Sequence, residues 1–130
     1  MIVDTSALVT IVNDEPEAGQ YLDILLRAPV RRISAGNLFE TYLVIDGARN
    51  PASSIRLHEL LLDLRLLVEP VTESQVIIAR VAYGTYGRGT GHGARLNYGD
   101  CFAYALAKER DEPLLFKGND SSQTDITAAI

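Results

Sequence analysis

Apolar residues along this chain occur either in short runs or at helical spacing, and the two patterns alternate. Short apolar runs bounded by turn residues predict four strands, at residues 2–4, Arg31–Ser34, Leu67–Val71 and Pro113–Phe116. Helical spacing predicts helices at about Ser6–Val12, from Asp14-Glu-Pro16 to a break at Pro29, and at Gly36–Arg49, Ala52–Leu66, Thr72–Tyr86, Asn97–Arg110 and Thr124–Ala129. The pattern therefore indicates strands and helices that follow each other in turn.

Alternation of this kind predicts an α/β fold, a three-layer α/β/α sandwich with a central and mainly parallel sheet. The chain has 130 residues, of which 47% are hydrophobic, and no shift in composition or linker divides it. We therefore expect one domain over residues 1–130. The short first strand is expected in the middle of the sheet, with Asp4 at its carboxyl end, where ligands bind in open α/β sheets.

Composition narrows the range of functions. The only cysteine, Cys101, excludes an internal disulfide framework and a cysteine-based zinc site. No secretory leader or apolar run of membrane-spanning length is visible, so we expect a cytoplasmic protein without membrane contact. Twelve Lys and Arg residues against 17 Asp and Glu give a formal charge of -5, which disfavours non-specific nucleic-acid binding. A divalent cation bound among the acids would reverse the local field.

Four acidic residues lie at or near the predicted junctions between strands and helices. Asp4 ends the first strand, Glu40 lies one turn into the helix after the second, Asp100 is in the first turn of the Asn97 helix, and Asp120 follows the last strand. Four converging carboxylates repel each other by about 4 kcal/mol per close pair at intermediate dielectric. A hard divalent cation such as Mg²⁺ or Mn²⁺ removes that cost. Position alone is equally compatible with helix caps and solvated surface acids.

A glycine-rich stretch, Gly87-Arg-Gly-Thr-Gly-His-Gly93, precedes the Asn97 helix. It matches neither the phosphate-binding loop nor the dinucleotide-binding fingerprint, so we interpret it as a flexible connection. Arg88 and Arg95 lie in and next to it, and we expect them to flank the acids and contact RNA phosphates if the substrate is RNA.

Several motifs together resemble the PIN-domain ribonucleases, and most closely the VapC-type toxins of prokaryotic toxin–antitoxin pairs. These motifs are Ile2-Val-Asp-Thr-Ser6, Ser34 with Glu40 downstream, Asn97-Tyr-Gly-Asp100 with Ala103 and Ala107, and Leu114-Leu-Phe-Lys-Gly-Asn-Asp120. The resemblance spans essentially the whole chain. It implies a metal-dependent endoribonuclease that is commonly a homodimer and is inhibited by a cognate VapB-type antitoxin.

By the same resemblance, the acidic quartet of the family corresponds to Asp4, Glu40, Asp100 and Asp120. Asp4 and Asp100 are expected to hold the principal Mg²⁺ or Mn²⁺, and Glu40 and Asp120 to act through water or hold a second ion. The implied reaction is metal-assisted hydrolysis of RNA phosphodiester bonds, leaving a 5′-phosphate and a 3′-hydroxyl. Where the family usually has an aromatic residue after the fourth acid, this chain has Ser121, so Asp125 is an alternative to Asp120.

Two other functions stay open at this point. One is phosphoryl transfer with Asp4 as the phospho-acceptor, although haloacid-dehalogenase-like phosphatases have a second acid two residues later, where this chain has Ser6. The other is a non-catalytic α/β binding module that keeps the acids for a partner.

Overall fold

A computed structural model describes all 130 residues as four strands and six helices. The strands are β1 (Ile2–Val3), β2 (Arg32–Ser34), β3 (Leu67–Glu69) and β4 (Leu114–Leu115). The helices are α1 (Thr5–Val12), α2 (Ala18–Arg27), α3 (Ala35–Gly47), α4 (Pro51–Leu64), α5 (Glu73–Tyr86) and α6 (Tyr98–Arg110). A short 3₁₀ turn covers Ser121–Gln123.

The strands form one sheet in the order β3-β2-β1-β4, and every pair is parallel. β1 lies inside the sheet, with Ile2 opposite both Arg32 of β2 and Leu114 of β4. Since all the strands run the same way, their carboxyl ends share one edge, which we call the carboxyl edge. Asp4 lies at that edge, where its backbone N–H donates to the carbonyl of Leu115 over 2.9 Å.

Helices cover both faces of the sheet because alternate strand residues point to opposite sides. Val3 packs into a cluster with Leu8, Leu25 and Leu64, from α1, α2 and α4. Its neighbour Ile2 packs on the other face. There it contacts a cluster that includes Ala103, Leu106 and Ala107 of α6. The predicted three-layer α/β/α fold with a parallel sheet is therefore confirmed.

The starts of the helices explain much of the local geometry. Asp4, Ser34 and Asn97 cap α1, α3 and α6, each through a side-chain oxygen that accepts from a backbone N–H in the first turn. Two of these caps, Asp4 and Ser34, sit where a strand ends, so the same residues that stop β1 and β2 start the following helices. The caps thus bring helix N-termini to the carboxyl edge.

Two sequence predictions about helices are wrong. The Asp14-Glu-Pro16 segment is a turn with Asp14 at a φ of 52°, and α2 begins at Ala18. The segment Thr124–Ala129 is not a helix. It runs beside β4, where Leu114 donates to the Thr127 carbonyl and accepts from the Ala129 N–H, each over 2.9 Å. The buried outer edge of β4 needs hydrogen-bond partners, and this requirement overrides the local helical spacing.

None of the helices combines the length and the apolar character that crossing a lipid bilayer requires.

Candidate active site

Asp4 is held in place by the turn that follows β1. The residue is 6% exposed, and its Oδ2 accepts hydrogen bonds from the Ser6 N–H at 2.9 Å and the Ser6 hydroxyl at 2.6 Å. The Ser6 oxygen in turn accepts from the backbone N–H of Lys117 at 2.9 Å, just beyond β4. Both side-chain contacts use Oδ2, so Oδ1 keeps its lone pairs for another partner.

Asp100 is fixed by a reciprocal cap at the start of α6. Its backbone N–H donates to Asn97 Oδ1 at 2.9 Å, and its Oδ2 accepts from the Asn97 N–H at 2.8 Å. This capping box needs a side-chain acceptor at both positions, which the Asn97–Asp100 spacing supplies. Here too one carboxylate oxygen is engaged by the backbone and the other is not.

Glu40 reaches the same place from α3. Its carboxylate lies against Gly99, in the first turn of α6, so closely that a Cβ at position 99 would overlap Glu40 Oε2. A glycine next to Asp100 therefore makes room for the Glu40 carboxylate.

The neighbouring carboxylates act on Asp100 and Asp4. The pKa of Asp100 is raised to about 6, mainly by burial and also by the charges of Asp4, Asp120 and Glu40, against the hydrogen bond from Asn97. Burial also raises the pKa of Asp4, and the Glu40 charge adds to this, while the two Ser6 hydrogen bonds oppose it. Asp100 thus lies within electrostatic range of the three other acids singled out in the sequence.

Asp120 and Asp125 lie in different surroundings. Asp120 is exposed at the start of the 3₁₀ turn and contributes to the field at Asp100. Asp125 accepts from the Tyr104 hydroxyl at 2.6 Å and pairs with Lys108 Nζ at 2.7 Å. Hydrogen bonds from Lys108 and Tyr104 lower the pKa of Asp125. Both oxygens of Asp125 are therefore occupied, and its charge is already balanced.

Arg88 and Arg95 are exposed, and neither forms a salt bridge. The glycine-rich stretch that contains Arg88 is tied to the segment before α6 by a bridge between Gly87 and Leu96, in which the Arg88 N–H donates to the Leu96 carbonyl over 3.0 Å. Both cations are thus attached to the chain that leads directly into the Asn97 cap.

The donor set suits a hard divalent cation, although the side chains do not form a closed cage. No group of three or more His, Cys, Asp or Glu side chains is arranged to bind one ion together. The charges of Asp4, Asp120 and Glu40 nevertheless add to the effect of burial in raising the pKa of Asp100, and Asp4 and Asp100 each keep one oxygen free of side-chain and capping contacts. Mg²⁺ is commonly held by one or two carboxylates and completes its shell with water, which this arrangement allows.

Two residues of this site have no part in the sequence predictions. Asn37 is completely buried between α1, α3 and α6, and Gly99 makes room for Glu40. Asn37 could have been found from the sequence, because it is a polar residue one helical turn before Glu40 on a helix that packs on the sheet. The sequence contains no corresponding signal for Gly99, because the need for glycine arises from a side chain 59 positions away.

Comparison with known proteins agrees with this geometry. The sequence model of the PIN domain matches residues 1–126. The chain is 51% identical over 130 residues to ribonuclease VapC28 of Mycobacterium tuberculosis, covering 100% of this chain and 98% of the relative. Among solved structures, the sarcin-ricin loop cleaving toxin VapC20 of M. tuberculosis superposes with a TM-score of 0.74 at 19% identity, covering 97% and 95% of the two chains.

A second structural neighbour is VapBC2 from Rickettsia felis, which was solved bound to a DNA fragment of its promoter. The TM-score is 0.71 at 14% identity, with 94% and 90% of the two chains covered. At this identity the likeness concerns the fold. Together with the match over residues 1–126 and the 51% identity to a relative of the same length, these findings show that the chain belongs to the PIN-domain family, among the VapC ribonucleases. PIN-domain VapC nucleases depend in general on a divalent metal ion.

Proposed function

We propose that this chain is a Mg²⁺- or Mn²⁺-dependent endoribonuclease and the toxin of a VapBC-type toxin–antitoxin pair, with one PIN-like domain over residues 1–130. The observation that carries the proposal is the convergence of acids at the carboxyl edge, where the Glu40 carboxylate lies against Gly99 next to Asp100. Burial raises the pKa of Asp100, and the charges of Asp4, Asp120 and Glu40 add to that effect. Uncompensated acids at such range are unfavourable, and a bound divalent cation removes the repulsion.

Each acid has its own task in this proposal. Asp4 and Asp100 hold the principal ion through the carboxylate oxygens that Ser6 and Asn97 leave free. Glu40 and Asp120 complete the site through water or hold a second ion. When bound, the cation lowers the pKa of water and stabilises charge on the phosphoryl group.

The reaction adds one water molecule across the scissile P–O3′ bond. The water oxygen bonds to phosphorus as that P–O3′ bond breaks, and a proton ends on the departing 3′ oxygen. The products therefore carry a 5′-phosphate and a 3′-hydroxyl. Ser6 and Asn97 prepare the site for this step, since they fix the carboxylates before substrate binds.

We propose that Arg88 and Arg95 contact RNA phosphates beside the acids. Both guanidinium groups are exposed and free of salt bridges, which supports this role in a chain of net charge -5. Changing both to alanine removes two phosphate contacts, so the slope of log K against log salt concentration should become shallower by about one to two units. An unchanged slope in a filter-binding titration would show that neither arginine contacts phosphate.

We propose a VapB-type antitoxin and a second copy of the chain as protein partners, in the cytoplasm. Large apolar side chains are exposed on α3 and α5, which supports protein contacts on both helices; they are Phe39, Leu43, Val44, Val76, Ile77 and Val81. Surface of this kind favours protein–protein association.

Phosphoryl transfer through Asp4 is opposed by the same geometry. Such a reaction needs an acid two residues after the acceptor to handle the leaving-group proton. Ser6 occupies that position, and its hydroxyl donates to Asp4 while accepting from Lys117. Neither contact supplies a general acid.

The central experiment is an RNA cleavage assay with the wild type and Asp4→Asn, each with Mg²⁺ and with EDTA, followed by mapping of the RNA ends. We expect cleavage by the wild type with Mg²⁺ only, leaving 5′-phosphates. Asp125→Asn is the matched control and should keep activity, because Asp125 is paired with Lys108. Acylphosphate on Asp4 would instead support phosphoryl transfer, and the absence of both activities would support a binding module.

A further inference from the structure

Asn37 lies at a junction of three elements that each carry one of the acids. Its side-chain Nδ2 donates to the Gly99 carbonyl at 3.0 Å and, more weakly, to the Thr5 hydroxyl at 3.4 Å. Its own backbone carbonyl accepts from the Thr5 hydroxyl at 3.1 Å and the Thr41 hydroxyl at 2.8 Å. One residue of α3 is thus bonded to the start of α1 and to the start of α6.

The residues bonded to Asn37 are the sequence neighbours of the acids. Thr5 follows Asp4, and Gly99 precedes Asp100. Asn37 itself lies three positions before Glu40, on the same face of α3. Since each bond joins backbone or hydroxyl groups next to a carboxylate, the distances between the three acids depend on this junction.

The junction acts against the repulsion of the acids. Three anionic groups at the ends of α1, α3 and α6 tend to drive those ends apart, and a fully buried set of hydrogen bonds resists that movement more strongly than solvated contacts do.

The choice of an amide at this position is not explained by stability alone. Asn37 is 0% exposed, and its Oδ1 has no hydrogen-bond partner. A buried, unpaired acceptor costs about 1–3 kcal/mol, and replacing a polar group together with its partners by apolar side chains is often neutral or favourable. The amide therefore has a role that an apolar side chain cannot fill. The hydrogen bond from Asn37 to the Gly99 carbonyl indicates that this role is to hold the start of α6.

We propose that Asn37 is a positioning residue for the metal-binding carboxylates, and that Gly99 is its counterpart on α6. Asn37 fixes the backbone of Gly99, and Gly99 has no side chain in the space that the Glu40 carboxylate fills. The pair thereby fixes the position of the Glu40 carboxylate relative to the start of α6, where Asp100 lies. This inference rests on the proposed function, because it assigns residues to the same metal site.

The test measures Mn²⁺ binding to the isolated protein by electron paramagnetic resonance, together with kcat and KM for RNA cleavage. In Asn37→Leu the side chain keeps the same branched shape and loses the donor to Gly99. We expect Mn²⁺ affinity and kcat to fall by about 10- to 100-fold, as for other residues that orient metal ligands. KM for RNA should stay unchanged, since Asn37 is buried away from the substrate.

Thr41→Val is the matched control. Thr41 is equally buried and lies on the same helix, but its hydroxyl donates to the Asn37 carbonyl within α3 and not to a group of α6. Its loss should reduce the thermal midpoint and leave Mn²⁺ affinity within about twofold of the wild type, as for other substitutions outside the ligand-orienting set. Equal Mn²⁺ affinity in Asn37→Leu and the wild type would overturn the proposal.

A second variant keeps the test informative if Asn37→Leu does not fold. In Gly99→Ala the added methyl group meets the end of the flexible Glu40 side chain, which can swing away at little cost to the fold. We expect normal circular dichroism and thermal midpoint with Mn²⁺ affinity at least about tenfold weaker. Unchanged Mn²⁺ binding in Gly99→Ala would also overturn the proposal. Failure of the wild type to bind Mn²⁺ would instead overturn the proposed function.

Discussion

At the scale of single residues, Asp100 is subject to two opposing effects on stability. Its Oδ2 caps α6, which stabilises the helix, while burial and the neighbouring acids make its charge unfavourable. The pKa of about 6 in the folded chain lies above the ordinary value of 3.8, so the folded chain binds this proton more tightly than the unfolded chain does. The free energy of unfolding of the metal-free protein therefore falls as pH rises from about 4 to 6 through this group.

Asp100→Asn should remove this decrease in the free energy of unfolding with pH. The amide oxygen can still accept from the Asn97 N–H, and the side chain carries no charge. In EDTA at pH 8 we expect the variant to be more stable than the wild type by about 1–2 kcal/mol, after allowance for partial exposure of the group. At pH 4 the difference should vanish. Urea denaturation at the two pH values measures it, and a variant less stable than the wild type at pH 8 would show that the acids do not repel one another.

A pair of variants can decide whether Asp120 or Asp125 is the fourth acid of the site. Asp120→Asn removes a charge that acts on Asp100, so Mn²⁺ affinity and RNA cleavage should drop by about tenfold or more. Asp125→Ala leaves the Tyr104 hydroxyl without its acceptor, so the free energy of unfolding should fall by about 1–2 kcal/mol while cleavage stays normal. If cleavage fell only in Asp125→Ala, the fourth acid would be Asp125.

Strand ends and helix starts placed the candidate acids Asp4, Glu40, Asp100 and Asp120 near one edge of the predicted sheet, and their role there stays a prediction. The sequence did not show the contacts that position them. The bonds of Asn37 to Thr5 and Gly99 span 32 and 62 positions, and no local pattern encodes contacts of that range. For the same reason, the sequence does not reveal that Asp125 is bonded to Tyr104 and Lys108.

At the scale of elements, the segment after the 3₁₀ turn completes the hydrogen bonding of the outer edge of β4. Leu114 is buried, and residues 127 and 129 supply its outer hydrogen bonds. Removing residues 127–130 should leave that backbone N–H and C=O unpaired and reduce the free energy of unfolding by about 1–3 kcal/mol. Chemical denaturation of the shortened chain measures this, and equal stability of the two chains would show that the segment does not support the strand.

Elements that are set by local chemistry were predicted well from the sequence. The predicted helix starts at Thr72 and Asn97, and the predicted gap between Arg49 and Ala52, lie at helix boundaries in the structure, where Thr72, Asn97 and Asn50 are the caps. The segment Thr124–Ala129 was predicted wrongly because its conformation depends on β4, which is formed by a different part of the chain. Asp14 adopts a left-handed conformation at the end of α1, where the Asp14 and Glu15 N–H groups donate to the carbonyls of Ile11 and Thr10. This turn is local, and the acids and proline that follow α1 were misinterpreted as a helix start.

At the scale of the whole molecule, an apolar groove between α5 and α6 supports the proposed homodimer. It has a volume of about 510 Å³ and is lined mostly by apolar side chains, including Val76, Tyr83 and Phe102. We expect the isolated chain to scatter light as a dimer at micromolar concentration and Val76→Lys to be monomeric. Leu62→Lys, on α4 in another layer of the molecule, is the control and should stay dimeric. A monomeric wild type would contradict the homodimer.

Other acids of the molecule are balanced differently from the four candidate acids of the site. Arg32 pairs with Glu69 at 2.7 Å and with Glu112 at 2.8 Å, and Arg110 adds a second partner for Glu69 at 3.0 Å. Asp4, Glu40, Asp100 and Asp120 form no salt bridge. Net charge is therefore a poor guide to what this protein binds, because it does not show which acids lack basic partners.

The hydrogen bond from Lys117 to Ser6 has a consequence for synthesis on the ribosome. The strand β4 beside Asp4 and the loop that orders Ser6 lie more than 100 positions after them in the sequence. A nascent chain that has not yet released β4 cannot order Asp4. A ribonuclease built in this way would stay inactive while the ribosome that makes it is still at work on it.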